Sequence, residues 1–278
     1  MGSSQHMRSR AKTTAASAFP ISTAVVGHMG QHAVTGTVNS RTSIVLPTYN
    51  EGHNVVPLIN KIYHTMNGHV PAADTPEVVV IDDNSPDGTA RICESLLAKY
   101  PSLKIVVRTD ARGLGSAVQR GISESSRDTV VVMDADFSHD CDVIPKLVAA
   151  VLSDSTDIAI ASRYVSGGKM VAPLHLRAGS RALNLFVRAV LGMPVHDLTG
   201  GFFAARRTYL QVLDSDRVFT GYGDYCFALL YEGFKKGFRM KEYPFEYYPR
   251  QDGLSKTSFF QVGLSYGLRA MRLRVGLE

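Results

Sequence analysis

Two aspartates one residue apart, Asp134 and Asp136, follow directly on the apolar run Val130-Val131-Val132-Met133. Carboxylates placed where a buried strand leaves its sheet need water, a cation or hydrogen bonds. A hard divalent cation takes oxygen ligands and bridges such acids to the phosphates of a substrate. A solvated loop is the other reading of the same string. A second acidic pair, Asp82-Asp83, follows the run Val78-Val79-Val80-Ile81. Carboxylates there can accept hydrogen bonds from a base N–H or ribose hydroxyls. They can equally cap the next helix, with Asp87-Gly88-Thr89 supplying the turn. Arg112-Gly113-Leu114-Gly115 precedes a further helix. Its glycines allow close backbone approach and a helix N-terminus attracts anions, although a flexible turn explains them as well. The spacing is not GxGxxG, so a dinucleotide cofactor is not indicated.

The elements that must position these groups follow from hydrophobic periodicity. Short apolar runs predict strands at Ser43–Leu46 (closed by Pro47), Glu77–Ile81, Leu103–Val107, Thr129–Met133 and Asp157–Ala161. Helical spacing predicts helices over Asn54–Met66, from Gly88 to Lys99, and over Leu114–Ser125 and Val143–Leu152. Strand–helix alternation with short connections implies a doubly wound α/β sheet, whose ligands bind outside the carboxyl ends of the strands. Thr48–Glu51, Asp82–Asp87 and Asp134–Asp140 all fall at such ends. Beyond Tyr164 the rhythm changes to helices at Leu176–Leu191 and Tyr225–Lys236, an edge strand at Arg239–Tyr248 and an amphipathic stretch at Ser258–Leu277. No internal repeat and no second independent domain is expected. Residues 1–40 hold no acid and are rich in Ser, Thr, Ala and Gly, which reads as a disordered tail, a transit peptide or an appended tag. The expected division is this tail, a domain over 41–257 and a membrane-proximal amphipathic helix over 258–278.

A net charge of +5 suits anionic partners, but no basic run with interleaved aromatics supports nucleic-acid binding. The three cysteines form no CxxC pair, so neither a zinc site nor a disulfide framework is indicated, and a reducing, cytosol-facing compartment is expected. No apolar run is long enough to span a bilayer.

Read together, Leu46-Pro47-Thr48-Tyr49-Asn50-Glu51, Ile81-Asp82-Asp83-Asn84-Ser85-Pro86-Asp87-Gly88-Thr89 and Met133-Asp134-Ala135-Asp136 resemble glycosyltransferase family 2. The nearer match is its dolichol-phosphate mannose synthase branch. Arg112–Ala117, Phe137-Ser138-His139, Ser162-Arg163-Tyr164, Asp197–Phe202 and Ser255-Lys256 extend the likeness over roughly Ser43–Phe260. The resemblance implies a GT-A type nucleotide-sugar-binding domain with a C-terminal amphipathic helical region. It also implies an inverting transfer of mannose from GDP-mannose to dolichyl or another polyprenyl phosphate. Pro47, Tyr49, Glu51, Asp82, Asp83 and Ala135 would line the nucleotide sugar, and Asp134 and Asp136 would hold Mg2+ or Mn2+. Arg163, Arg181, Arg250 and Lys256 would supply positive charge where lipid phosphate and leaving diphosphate meet. Asp197 would join the catalytic set beside Arg163, either orienting the acceptor or stabilising the turn before Gly200-Gly201. His139 reads as a bracing residue.

The implied site of action is the cytosolic face of a membrane, at the endoplasmic reticulum if the source is eukaryotic and at the plasma membrane if bacterial. With no spanning segment in 278 residues, the expectation is a peripheral chain served by small transmembrane partner subunits, or a shortened one. Ser138 stands where some family members carry Gln, which puts a third protein ligand in question. Departures around Tyr222–Tyr225 and Tyr248–Gly253 keep UDP-glucose, another nucleotide sugar or a non-lipid acceptor open. A receiver-type signalling domain would also gather acids at strand ends, but it leaves the downstream arginines unexplained. A nucleotide-sugar-binding protein without turnover is the other non-catalytic class.

Overall fold

The computed structural model describes residues 38–67, 74–249 and 259–277, all of which belong to one compact unit. The tail expectation therefore falls almost wholly outside the described residues. Nine strands and nine α-helices are defined among them: β1 Thr42–Thr48, α1 Val55–Asn67, β2 Glu77–Asp82, α2 Thr89–Glu94, β3 Leu103–Val107, α3 Leu114–Glu124, β4 Thr129–Val132, α4 Ile144–Leu152 and β5 Ile158–Ser162, then β6 Lys169–Met170, α5 Leu174–Leu191, β7 Phe203–Arg206, α6 Arg207–Gln211, α7 Ser215–Val218, α8 Tyr225–Lys235, β8 Met240–Pro244, β9 Glu246–Tyr247 and α9 Phe259–Val275.

Seven strands form one sheet in the order β3-β2-β1-β4-β7-β5-β8, and β6 pairs with β9 in a small second ribbon. Every pairing in the large sheet is parallel except those of β7, which runs against both β4 and β5. The valine-rich runs are buried on both faces, as a sheet covered by helices on each side requires. Alternate residues divide between two cores. Val45, Val79, Val130 and Val132 meet α3, α5 and α8 residues such as Val118, Val187 and Leu229. Ile44, Leu46, Val78 and Val131 meet Leu58 and Ile62 of α1 and Leu147 of α4. This is the expected doubly wound plan.

Four details depart from the sequence reading. Pro47 does not end β1; the strand continues to Thr48, pairing with β2 there, while its pairing with β4 stops at Val45. A residue without an N–H is tolerated where β1 has only one neighbour. Helix α2 stops at Glu94 because Ser95 donates its hydroxyl to the Ile92 carbonyl at 2.7 Å, competing with helical bonding. The expected strand over 239–248 is broken at Phe245, whose N–H donates to Ser162 O, separating β8 from the β6–β9 ribbon. Strand β7 was not anticipated.

At the amino edge of the sheet Glu77 is almost fully buried. Its carboxylate receives Ser43 Oγ at 2.5 Å, Ser126 N and Oγ at 2.8 Å each, and Lys104 Nζ at 2.6 Å. Burial alone would raise its pKa, but these partners outweigh it and hold the carboxyl below its ordinary value. All three cysteines are free and buried, and burial pushes their thiols up to about 12. Such thiols are inert at neutral pH.

Candidate active site

The chain leaves β1 outward to β2 and β3, then returns to place β4 on the other side of β1. That reversal opens a crevice beyond the carboxyl ends of β1 and β4, where doubly wound folds bind ligands. Three strand exits on this edge turn through left-handed residues: Asn50 after β1, Asn84 after β2 and Phe137 after β4, with φ of 58°, 54° and 63°. Asparagine accepts that region readily; a phenylalanine pays for it in strain of roughly 1 kcal/mol.

After β4 the last sheet contact is Met133 N–H to Val45 O at 3.3 Å. Asp134 then stands half-buried and Asp136 buried, with Ala135 buried between them. The turn at Phe137 brings Ser138 N–H back onto Asp136 Oδ1 at 3.0 Å. Asp134 donates its backbone N–H to His139 Nδ1 at 3.0 Å. Two hard carboxylates at a cleft suit a divalent cation that keeps water and phosphate oxygens as its other ligands. No group of three or more His, Cys, Asp or Glu able to hold a metal occurs among the described residues. Asp134 and Asp136 are the residues that would hold such a cation.

The β2 exit is differently employed. Asp82 is 1% exposed and accepts from Thr48 Oγ1, Ser85 N and Ser85 Oγ at 2.9, 2.8 and 2.6 Å. Asp83 is paired with Arg108 and accepts Gly113 N–H at 2.8 Å. The anion at the start of α3 is therefore the protein's own carboxylate. Gly113 has φ 127°, and a Cβ on Gly115 would lie 2.7 Å from Phe219 O, so both glycines serve the fold of this loop. Arg108, which sequence reasoning passed over, also donates to Ser116 Oγ and Gly113 O. Tyr49 is half-buried with the Arg112 guanidinium 5.6 Å from its ring centre. Glu51 accepts from Asn54 Nδ2 at 2.9 Å, and Pro47 lies inside β1.

On the other side of β4, Arg163 follows β5. Its Nε and Nη2 donate to the two oxygens of Asp197 at 2.8 and 2.7 Å, and Nη2 also reaches Thr199 Oγ1 at 3.2 Å. Asp197 is 0% exposed, and its carboxylate is engaged by Arg163. Burial would lower the Arg163 pKa, but the Asp197 carboxylate outweighs it and raises the pKa further above its ordinary value. Asn184 of α5 donates to Thr199 Oγ1, and Glu242 of β8 accepts the N–H groups of His196 and Asp197, both at 2.9 Å. Arg181 is exposed on α5, next to Ser180, whose hydroxyl meets Tyr164 OH at 2.7 Å. Arg250 and Lys256 lie outside the described residues.

Tyr247 joins the two halves. Its ring is 5.4 Å from the Arg163 guanidinium and 6.2 Å from the His139 ring, while Tyr248 N–H donates to Ser138 O. Sequence reasoning missed it because the run 245–248 reads only as an apolar edge strand. The arrangement offers two acids for a cation and one clamped guanidinium, joined through an aromatic ring.

The family model for glycosyl transferase family 2 matches residues 43–214. A dolichol-phosphate mannosyltransferase of Pyrococcus furiosus is 38% identical over 221 residues, covering 78% of this chain and 59% of that protein. A polyprenol monophosphomannose synthase of Mycolicibacterium smegmatis is 34% identical over 82% of this chain and 85% of its own length. An undecaprenyl-phosphate mannosyltransferase of Micrococcus luteus is 34% identical over 85% of this chain and 100% of its own length. Among solved structures, glucosyl-3-phosphoglycerate synthase from Mycobacterium tuberculosis with Mn2+, UDP and glucosyl-3-phosphoglycerate superposes with a TM-score of 0.62 at 21% identity, covering 85% of this chain and 80% of that one. The same synthase with Mg2+ and UDP gives 0.63 at 20% identity over the same shares. The fold is the GT-A type.

Proposed function

The chain belongs to glycosyl transferase family 2, and from that premise we propose that it moves mannose from GDP-mannose to a polyprenyl phosphate such as dolichyl phosphate, with inversion and with Mg2+ or Mn2+ at Asp134 and Asp136. The observation that carries this reading is the clamped Arg163 beside the Tyr247 ring, which in turn meets His139, the residue that holds the Asp134 backbone. A donor with a diphosphate leaving group and an acceptor that is itself a phosphate need these two kinds of charge side by side. The names of the relatives in mannosyl transfer to polyprenyl phosphates support the acceptor and the sugar.

An acceptor phosphate oxygen attacks the anomeric carbon opposite the diphosphate. The new C–O bond forms as the bond to the diphosphate oxygen breaks, and GDP departs with that electron pair. A phosphate oxygen is already nucleophilic near neutral pH, so no strong general base is required. When bound, the cation supplies positive charge to the departing diphosphate. Arg163 offers its remaining nitrogen, Nη1, to the acceptor phosphate, its other two being fixed by Asp197 and Thr199. A guanidinium held this way gives up little freedom on binding, which favours in-line geometry. Arg181 adds charge on the acceptor side, and the Tyr49 ring is offered to the base.

Contact with a bilayer belongs to the same reading. α5 packs along α9, and both expose apolar side chains: Leu174 and Leu185 on α5, Leu264, Leu268 and Val275 on α9. Arg177, Arg181, Arg272 and Arg274 are exposed among them. Arg269, expected to face headgroups, is instead buried, donating to Thr220 O and Arg217 O at 2.8 and 2.7 Å. No helix among the described residues is long and apolar enough to cross a membrane. A peripheral position on the cytosolic face, with or without transmembrane partner subunits, fits this surface.

The deciding experiment incubates the chain and Mn2+ with GDP-mannose or UDP-glucose and a short polyprenyl phosphate, and weighs the lipid product. A mannosyl-phosphoryl-polyprenol formed only from GDP-mannose is expected. A glucosyl product, or sugar transfer only to water-soluble acceptors, would replace this reading with that of another family 2 transferase.

A further inference from the structure

His139 lies five residues beyond Asp134, and its side chain is 0% exposed. The ring lies flat on Phe202, with centroids 4.8 Å apart and planes at 11°. Phe245 meets it edge-on at 5.7 Å and Tyr247 at 6.2 Å. It is therefore held from several sides.

The two ring nitrogens face two parts of one residue. Nδ1 accepts the backbone N–H of Asp134, while Nε2 stands 3.7 Å from Asp134 Oδ2 and has no hydrogen-bond partner among the described residues. A neutral imidazole has one N–H and one lone pair. With the lone pair of Nδ1 engaged by the amide, the proton must sit on Nε2. That nitrogen is then a donor 3.7 Å from the carboxylate and has no lone pair for a metal. A movement of less than about 1 Å by the half-exposed Asp134 side chain would bring Oδ2 into hydrogen-bond range.

We propose that His139 is the positioning residue for Asp134, gripping its main-chain N–H and its carboxylate together and so fixing the first metal acid in the rotamer that a cation needs. This rests on the reading of Asp134 and Asp136 as the metal acids. It also gives the buried, otherwise unsatisfied Nε2–H a partner, which a merely space-filling histidine would leave unexplained. Phe202, at the entry to β7, becomes the support beneath the ring.

The test is Mn2+ affinity, read from the electron paramagnetic resonance of free Mn2+ as it is titrated into the chain with GDP present. Four proteins are compared: wild type, His139→Phe, Asp134→Asn and the double variant. Phenylalanine keeps the stack on Phe202 and removes both nitrogens. His139→Phe is expected to weaken Mn2+ binding by about ten- to a hundredfold. Asp134→Asn should weaken it at least as much, and the double variant should bind no worse than Asp134→Asn alone. Unchanged affinity in His139→Phe, or losses that multiply in the double variant, would overturn the proposal. If Asp134→Asn leaves Mn2+ affinity unchanged, the assignment of the metal acids falls instead. Nitrogen-15 NMR of the wild-type chain supplies a measurement that no folding defect can cloud. Nε2 should be protonated and Nδ1 bare, and the opposite tautomer would reject the proposal.

Discussion

Glu77 and Asp136 are buried acids at opposite edges of one sheet, and the protein treats them differently. Glu77 receives an ammonium, two hydroxyls and an amide from β3, β1 and the turn before β4, so its charge is compensated by the fold. Asp136 receives the amide of Ser138, two residues on, within a turn strained at Phe137, and its neighbour Asp134 is half-open to the crevice. A carboxylate surrounded by side-chain donors from distant segments stabilises the fold. One set in the turn where β4 leaves the sheet stands at the edge that the proposed site uses.

Exchanging the two acids for neutral residues should separate these roles most sharply. Asp134→Ala or Asp136→Ala should lower transfer by a factor of about a thousand, equivalent to several kcal/mol of barrier, while the melting temperature stays nearly unchanged. Glu77→Ala should do the reverse, removing about 2–3 kcal/mol of stability by stranding buried donors, with the activity of the remaining folded protein intact. Full transfer in excess chelator, or unfolding of Asp136→Ala, would erase the distinction.

The proposed acceptor side offers an intermediate case. Arg163→Ala should damage both properties, because it strips the acceptor of its guanidinium and leaves the buried Asp197 without its cation, at about 3–5 kcal/mol of stability. Arg181→Ala, at an exposed position, should raise the acceptor KM or lower kcat without a stability loss. Neither change should greatly alter nucleotide affinity. Acceptor kinetics and nucleotide titration check this, and unchanged acceptor kinetics in both variants would remove the arginines from the proposed site.

A gentler version uses pH. The folded pKa of Glu77 lies below its ordinary 4.5, so its contribution is fully present above that value and is lost as the pH falls through the depressed one. Glu77→Gln should therefore flatten the fall in unfolding free energy between about pH 5 and pH 3. An acid limb parallel to that of the wild type would assign the acid sensitivity elsewhere. The smallest effect is expected at the face proposed to meet a membrane. Arg272→Glu or Arg274→Glu should weaken flotation with anionic liposomes by about 1 kcal/mol or somewhat more for each reversal, with little change on neutral ones. Equal flotation of all forms would leave α9 as a packing helix alone.

Much of this was legible in the sequence where chemistry and periodicity coincide. Val130–Met133 followed by Asp134 and Asp136 marks a buried strand meeting a cleft, and the acids stand there. Other residues were opaque because their meaning depends on distant segments. Asp82 and Asp83 read equally as ligand contacts or as turn residues, and the sequence does not show that Thr48 and Ser85 engage the first and Arg108 and Gly113 the second. Arg269 has the pattern of a solvent-facing helix residue, and only the loop at 217–220 shows why it is buried. Phe203-Ala204-Ala205-Arg206 is too short and too weakly patterned to announce a strand, and it follows a glycine pair that reads as a turn.

That short strand governs how the chain can assemble as it is made. β1 to β4 can pair once Val132 has emerged, but the far edge of β4 stays bare until β7 arrives roughly 70 residues later. Until then β5 has neither of its neighbours, since β7 and β8 both follow it. A newborn chain therefore carries an open valine-rich edge through a long stretch of synthesis, a situation that favours mispairing and calls for chaperone cover. Maturation should run in one direction, with the β1–β4 half gaining hydrogen-exchange protection at Val45 before Ile160 does. Simultaneous protection of the two amides during refolding would show that β7 docks early enough to close the gap.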